Sequence, residues 1–315
     1  MFRYRFFAAL ALALPALAAA SRPLILTTDC GADMDDQWAI AHLVTSPEFD
    51  VRAIVTTHIG KNKGLAAPAA ESSSRCAREV IEHVPARQKP VVMPGSSVQL
   101  KMRAPLPNAG VDRILSESRN FGPDHRLTVL VIGAATDTAS ALMTEPKLAD
   151  RIEIVAMGFR SWDSGDEFNI QNDPIAWQVI LDSRVPVTVG DGTVTKRDLA
   201  LTSAGAHQIL DPTGAAGQYL AGLLDRWFLE HGEVTAQVTG DARVWPVWDE
   251  VTVAYLLGMT KQETRPRPKL RDDLSFDHSG RDGTVQWVTS IDGARLWSDL
   301  AGRMQAGKGK AAGAQ

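Results

Sequence analysis

Four aspartates lie within eight residues, where the first apolar segment of the chain meets a helical pattern. They are Asp29, Asp33, Asp35 and Asp36, and they follow the apolar run 23–27. Carboxylates this close repel one another, so a buried cluster needs a cation or protons. The junction of a strand and a helix is also where open α/β sheets bind ligands. The segment therefore predicts a metal site built from oxygen ligands. An Asp-rich helix N-terminus that favours the helix dipole is the alternative.

Strand-like and helical segments alternate along the rest of the chain. Strands are predicted at 24–28, 51–57, 90–93, 127–132, 152–157 and 185–189. Helices are predicted at 35–45, 67–83, 111–117, 136–145, 173–181 and 206–231, with another after Asp249. This alternation predicts an α/β, Rossmann-like fold with a largely parallel (mixed) sheet and helices on both faces.

The first 20 residues are predicted to be a secretory signal peptide. Arg3 and Arg5 precede an apolar run at 6–17, and small residues follow it at 18–20. That order is typical of an export signal, and the apolar run is short for a membrane span. We therefore expect a periplasmic or secreted protein without a membrane anchor after cleavage. One domain would cover 21–307, with a disordered tail at 308–315.

Charge, cysteine and histidine usage narrow the class of protein. The net charge of the 315-residue chain is −4 with no basic stripe, which argues against nucleic acid as a partner. An oxidising compartment allows a disulfide between Cys30 and Cys76. However, Cys30 adjoins the acid cluster and the sequence does not give its distance to Cys76, so two isolated thiols are predicted. The seven histidines show no HExxH or paired spacing, which disfavours a zinc enzyme.

A second polar segment follows the predicted strand 152–157. Glu167 and Asn169 are two residues apart, so in an extended chain they would point the same way and could hold vicinal hydroxyls. Asn172 or Asp173 would then cap a helix. A plain polar loop with a helix cap is the alternative.

Two further segments place polar groups at element boundaries. Asp249 follows Trp245-Pro246-Val247-Trp248 and precedes an apolar helix, so it is a metal ligand or only a helix cap. The tryptophans beside it could stack on a ligand or pack in the core. At 131–137 a strand ends in small residues, where a backbone carbonyl could face a metal or the chain could simply turn.

These segments, in this order, resemble the nucleoside hydrolase family, the inosine–uridine-preferring N-ribosyl hydrolases. The family's opening motif DxDPGxDD is matched with two extra residues, so that Asp29 takes the place of the second Asp and Thr27 that of the first. Segment 133–137 stands where GPLTN usually stands, and 246–249 matches P-x-H-D. The resemblance covers about residues 23–304.

The resemblance implies an enzyme that hydrolyses the N-glycosidic bond of ribonucleosides to free base and ribose, with Ca²⁺ as cofactor. The calcium ligands that it implies are Asp29, Asp36, Asp249 and the backbone carbonyl of Ile132. Asp29 would also be the general base, and the carboxylates around it would stabilise an oxocarbenium-like state. The residues implied to hold the sugar hydroxyls are Asp35, Glu167 and Asn169. Relatives are commonly homodimers or homotetramers.

The chain departs from the family pattern at three places. Trp248 stands where the family's histidine often protonates the leaving base, and an indole is only a donor. Lys61, with Asn62 next to it, stands where an asparagine usually follows the second strand. Lys61 could bind an anionic group of the substrate, or it could be a surface residue with Asn62 in the asparagine's place. The insertion leaves the role of Asp33 ambiguous. These departures keep two alternatives open: a related glycosidase acting on another sugar or a phosphorylated nucleoside, and a non-catalytic binding protein for sugars or nucleosides.

Overall fold

The computed structural model describes residues 21–59, 70–279 and 282–305. The predicted signal peptide at 1–20 and the predicted tail at 308–315 lie outside these ranges, as do Lys61 and Asn62. Within the described ranges, no helix combines the length and the apolar composition that a membrane crossing needs.

An eight-stranded sheet forms the centre of the fold. Its strands are β1 (Arg22–Thr28), β2 (Phe49–Thr56), β3 (Val91–Pro94), β4 (Leu127–Val131), β5 (Ile152–Met157), β6 (Val187–Gly190), β9 (Thr260–Pro266) and β12 (Thr284–Ile291). They lie in the order β3-β2-β1-β4-β5-β6-β12-β9, and only β9 runs antiparallel to its neighbour. The short strands outside this sheet are β7 (Ala200–Leu201), β8 (Trp245–Pro246), β10 (Lys269–Leu270) and β11 (Phe276–Asp277). The predicted α/β architecture is confirmed.

Helices join the strands and cover the sheet. They are α1 (Asp35–Thr45), α2 (Ala70–His83), α3 (Ala109–Ser118), α4 (Thr136–Thr144), α5 (Phe168–Asn172), α6 (Pro174–Asp182), α7 (Gly192–Asp198), α8 (Ser203–Leu210), α9 (Ala215–Thr239), α10 (Glu250–Leu256) and α11 (Gly293–Gln305). Along β1, Leu24 and Leu26 pack into one core cluster and Ile25 packs into the other. Since successive strand residues point to opposite faces, both faces of the sheet are buried, as a parallel sheet requires.

Two predictions about secondary structure are wrong. The predicted helix 206–231 is two helices, because the 3₁₀ turn Asp211–Thr213 separates α8 from α9. Pro212 cannot donate a helical hydrogen bond, and Gly214 has a φ of +97°. The sequence pattern also failed to predict β9 and β12 as strands. β9 is an edge strand of mostly exposed polar residues, so it has no apolar alternation to reveal it.

The prediction of two isolated thiols is also wrong. Cys30 and Cys76 form a disulfide, with Cα atoms 5.8 Å apart. Cys30 follows β1, and Cys76 lies on α2, which packs against α1. The sequence does not reveal this bond because 46 positions separate the two residues and only the packing of α2 brings them together.

Candidate active site

The ends of three neighbouring strands form the floor of the site. The Thr57 N–H donates to the Thr28 carbonyl at 2.8 Å, and the Ile132 N–H donates to the Thr27 carbonyl at 2.9 Å. Asp29 therefore leaves β1 between the ends of β2 and β4. Gly133 permits this close approach, since a Cβ there would lie 2.6 Å from the Asp29 backbone nitrogen. The carboxyl edge of the sheet thus gathers the segments that the sequence singled out.

Three buried carboxylates converge above this edge. Oxygens of Asp35, Asp36 and Asp249 all lie within 4.8 Å of one another. Asp35 and Asp36 begin α1, and Asp249 precedes α10. Asp36 accepts a hydrogen bond from Thr28 Oγ1, whereas Asp249 Oδ1 is buried and has no hydrogen-bond partner among the described residues. An orphaned buried carboxylate oxygen in a group of three carboxylates fits a hard divalent cation.

Asp29 lies beside this trio and is 2% exposed. Its Oδ2 accepts a hydrogen bond from Asn172 Nδ2 at 3.2 Å. The sequence suggested Asn172 only as a possible helix cap, but Asp173 caps α6 by accepting from the Ala176 N–H at 3.0 Å. Asn172 is therefore a site residue that sequence reasoning missed. The only local sequence signal at Asn172 is the proline two residues later, Pro174. That proline indicates the start of a helix, so it suggests a capping role for Asn172 and not a contact with Asp29.

Glu167 and Asn169 adopt a different local structure from the predicted extended chain. Glu167 caps α5 by accepting from the Asn169 N–H at 2.8 Å, and Asn169 Nδ2 donates to the Met157 carbonyl at 3.3 Å. The extended arrangement is wrong because the Glu167 carboxylate satisfies the first turn of a short helix. Glu167 still lies close enough to raise the pKa of Asp29 electrostatically.

Burial makes the site a cluster of acids with raised pKa values. Desolvation, followed by repulsion from Asp35, raises the pKa of Asp29, and burial with carboxylate repulsion does the same for Asp36 and Asp249. Burial raises the pKa of Asp35 to about 7 although backbone N–H groups of Trp248 and Asp249 hydrogen-bond to it. Among the described residues, no Lys, Arg or His forms an ion pair with any member of this group. Within the described part of the chain, neutralising this group therefore takes protons or a bound cation.

This charge arrangement predicts how the cation-free protein responds to pH. The Asp35 pKa rises from 3.8 unfolded to about 7 folded, so the folded state binds this proton more tightly and loses stability as pH rises through that window. We expect the free energy of unfolding in a chelator to fall by at least about 2 kcal/mol between pH 5 and pH 7, since the raised pKa values of Asp29, Asp36 and Asp249 act in the same direction as that of Asp35. Urea titrations at both pH values measure it. Asp35→Asn should reduce the dependence without abolishing it, and added Ca²⁺ should stabilise the protein more at pH 7. Equal chelated stabilities at the two pH values would contradict the prediction.

Two tryptophans border the cluster. Trp248 meets Trp245 edge to face, with ring centroids 5.8 Å apart. Trp245 Nε1 donates to Asp33 Oδ2 at 2.7 Å, so the ambiguous aspartate of the insertion is tied to this aromatic segment. Neither indole can donate a proton as an acid would. The aromatic edge can pack against a planar ligand, but it supplies no general acid.

A buried histidine joins the two helices that carry the carboxylates. His42 on α1 contacts the Glu250 carboxylate through Nδ1 at 2.9 Å and Asp299 through Nε2 at 2.9 Å. Burial disfavours its charge, yet these two carboxylates raise the pKa of His42 to about 9. Glu250 directly follows Asp249, so this pair fixes α1 relative to α10. Sequence reasoning missed it because the partners are 208 positions apart.

Comparisons with known proteins identify relatives of this chain in sequence and in fold. Residues 24–298 match the sequence model of the family described as inosine-uridine preferring nucleoside hydrolase. Pyrimidine-specific ribonucleoside hydrolase RihA of Salmonella paratyphi C is 25% identical over 75% of this chain and 79% of its own length. Two solved structures share the fold. A plant nucleoside hydrolase, PpNRh1, has a TM-score of 0.70 at 19% identity, covering 90% of this chain and 99% of its own. The purine-preferring ribonucleoside hydrolase from Gardnerella vaginalis has a TM-score of 0.68 at 21% identity, covering 90% and 98%.

Proposed function

Since the chain belongs to the inosine-uridine preferring nucleoside hydrolase family and is therefore an N-glycosyl hydrolase, we propose that it splits ribonucleosides into free base and ribose in a calcium-dependent reaction. One observation carries the calcium dependence. Asp249 Oδ1 is buried and without a hydrogen-bond partner among the described residues, and the Asp249 side chain belongs to the carboxylate trio with Asp35 and Asp36. Calcium prefers oxygen ligands of this kind.

The proposed ligands combine the trio with neighbouring oxygens. Asp36 and Asp249 hold the ion, with Asp29 and the Ile132 carbonyl at the adjacent strand ends. The family resemblance implies that Asp35 binds a sugar hydroxyl. Asp35 also lies close enough to Asp36 and Asp249 to be a ligand of the ion. When bound, calcium offsets the carboxylate charge and lowers the pKa of a water molecule.

Asp29 is the proposed general base. It is 2% exposed at the end of β1, and the hydrogen bond from Asn172 Nδ2 holds its Oδ2 in place. As the carboxylate takes one proton of water, the water oxygen attacks the anomeric carbon and the bond to the base breaks. The base leaves with the electron pair of that bond and takes up a proton from solvent, which gives free base and ribose. The carboxylates around it stabilise the positive charge that develops on the sugar. Glu167 and Asn169 are the proposed partners of the sugar hydroxyls.

We also propose that the protein is exported and acts in the periplasm or outside the cell. The Cys30–Cys76 disulfide supports this location, because such bonds persist in oxidising compartments. N-terminal sequencing of the protein from its host should begin at Ser21. A mature protein that begins at Met1 would contradict the proposal.

A chromatographic screen tests the proposed reaction. The mature chain 21–315 is incubated with purine and pyrimidine ribonucleosides, 2′-deoxynucleosides and nucleotides, with and without a calcium chelator. We expect base release from ribonucleosides that the chelator abolishes and excess Ca²⁺ restores. Unchanged hydrolysis in the chelator would refute the calcium dependence. Release from phosphorylated compounds alone would instead favour the related glycosidase, with Lys61 as the candidate anion contact. Calcium binding without any hydrolysis would favour a binding protein.

A further inference from the structure

We propose that the Cys30–Cys76 disulfide, aided by the hydrogen bond from Trp245 to Asp33, positions the acidic loop (residues 29–34), so that cation binding and turnover depend on the thiol state of the chain. The inference rests on the proposed function, since it concerns the same site. It identifies the two cysteines and Trp245 as positioning residues that the family motifs do not contain.

The acidic loop lacks the proline that the family motif contains. In DxDPGxDD a proline follows the second Asp, and Cys30 stands at that position after Asp29. Proline fixes its own φ near −65°, whereas cysteine leaves it variable. The two inserted residues add further backbone freedom before Asp35 and Asp36. Asp29 therefore needs another source of order if its carboxylate is to keep one position.

The disulfide supplies order at the first end of the loop. It ties Cys30, which is 1% exposed and adjacent to Asp29, to Cys76 on α2. Gly31 has a φ of +96°, and a Cβ there would lie 3.6 Å from Cys76 Sγ, so the turn packs directly on the bond. The backbone of residues 30 and 31 is therefore held against α2 immediately after the proposed base.

The tryptophan supplies order at the other end of the loop. Asp33 Oδ2 accepts from Trp245 Nε1 at 2.7 Å. Trp245 is 4% exposed and packs against Trp227, with ring centroids 4.9 Å apart. Because Trp245 precedes Asp249 by four residues, this bond links the acidic loop to the second segment that carries a carboxylate of the trio. Both ends of the loop are thus fixed by contacts remote in sequence.

Reduction removes the first constraint without changing any ligand atom. A dithiol reductant attacks through one thiolate at Cys76 Sγ, since Cys76 is the more exposed partner. The S–S bond breaks and Cys30 leaves as a thiolate that takes up a proton. The reductant's second thiolate then releases Cys76 and closes the reductant into its own disulfide. Two electrons pass to the protein, and both cysteines become thiols.

The test compares the oxidised mature chain with the same protein reduced by dithiothreitol. Calorimetry with Ca²⁺ alone gives the dissociation constant, nucleoside assays give kcat and KM, and circular dichroism monitors the fold. We expect reduction to weaken calcium binding about 10-fold and to lower kcat, with the far-UV spectrum retained.

The double variant Cys30→Ser, Cys76→Ser should match the reduced protein, and dithiothreitol should not change its calcium affinity. Trp245→Phe keeps an aromatic ring and the disulfide but removes the indole N–H that donates to Asp33, so it should also weaken calcium binding.

Each other outcome decides against the inference. Equal calcium affinities in the two thiol states would overturn it. Loss of the far-UV spectrum on reduction would assign the disulfide to global stability and also overturn the positioning role. Failure of the proposed function gives a different result, because the oxidised protein would then bind calcium and hydrolyse no nucleoside. In that case the ratio of the calcium dissociation constants of the reduced and oxidised protein would still decide the role of the disulfide. An oxidised protein that binds no calcium would refute both.

Discussion

Asp29→Asn should lower kcat for nucleoside hydrolysis by about 1,000-fold while the protein stays folded. An amide cannot take the proton of the attacking water, yet it has nearly the shape of the carboxylate. Its oxygen can still accept from Asn172 Nδ2, which lies 3.2 Å from Asp29 Oδ2. Steady-state kinetics with saturating Ca²⁺ measure the loss, and circular dichroism checks the fold.

Asp124→Asn is the matched control for this change. Asp124 is exposed and lies in a turn between Gly122 and His125, away from the carboxyl edge of the sheet. The same chemical change there should leave kcat and calcium affinity unaltered. Full activity of the Asp29 variant would remove Asp29 from the role of general base.

His42→Ala should lower the free energy of unfolding by about 3–5 kcal/mol. The substitution leaves the Glu250 carboxylate fully buried without the imidazole that contacts it at 2.9 Å. The cost is large because both side chains have 0% exposure, so the carboxylate loses its charged partner in a desolvated place. Urea unfolding at pH 7 with excess Ca²⁺ measures the change, with Ca²⁺ present to keep the acid cluster neutralised.

His207→Ala provides a comparison with nearly the same geometry in a more exposed place. His207 also lies between two carboxylates, Asp211 at 2.9 Å and Asp225 at 2.7 Å, but its side chain is 36% exposed. Water and ions screen such a pair, so we expect a loss of at most about 1 kcal/mol. Similar losses for His42 and His207 would show that burial does not set the strength of the His42 network.

The sequence alone determined the α/β class, six of the eight strands of the central sheet and the segments of the site. Buried strands need continuous apolar runs and α1 needs a helical period, so β5 and α1 were predicted with the residue limits that the structure has, Ile152–Met157 and Asp35–Thr45. The resemblance to the nucleoside hydrolase family also implied that Asp29, Glu167 and Asp249 would share a site. The elements follow from local patterns, and the shared site followed from the order of the motifs.

Only the tertiary structure decided which atoms contact one another. The Cys30–Cys76 bond, the hydrogen bond from Asn172 to Asp29 and the His42–Glu250 pair join residues 46, 143 and 208 positions apart. No periodicity encodes such distances, since they depend on how helices and loops pack on the finished sheet. The same holds for Glu167, whose local structure depends on a helix cap rather than on strand alternation. Local patterns therefore identified the carboxylates, and long-range packing set their partners and their pKa values.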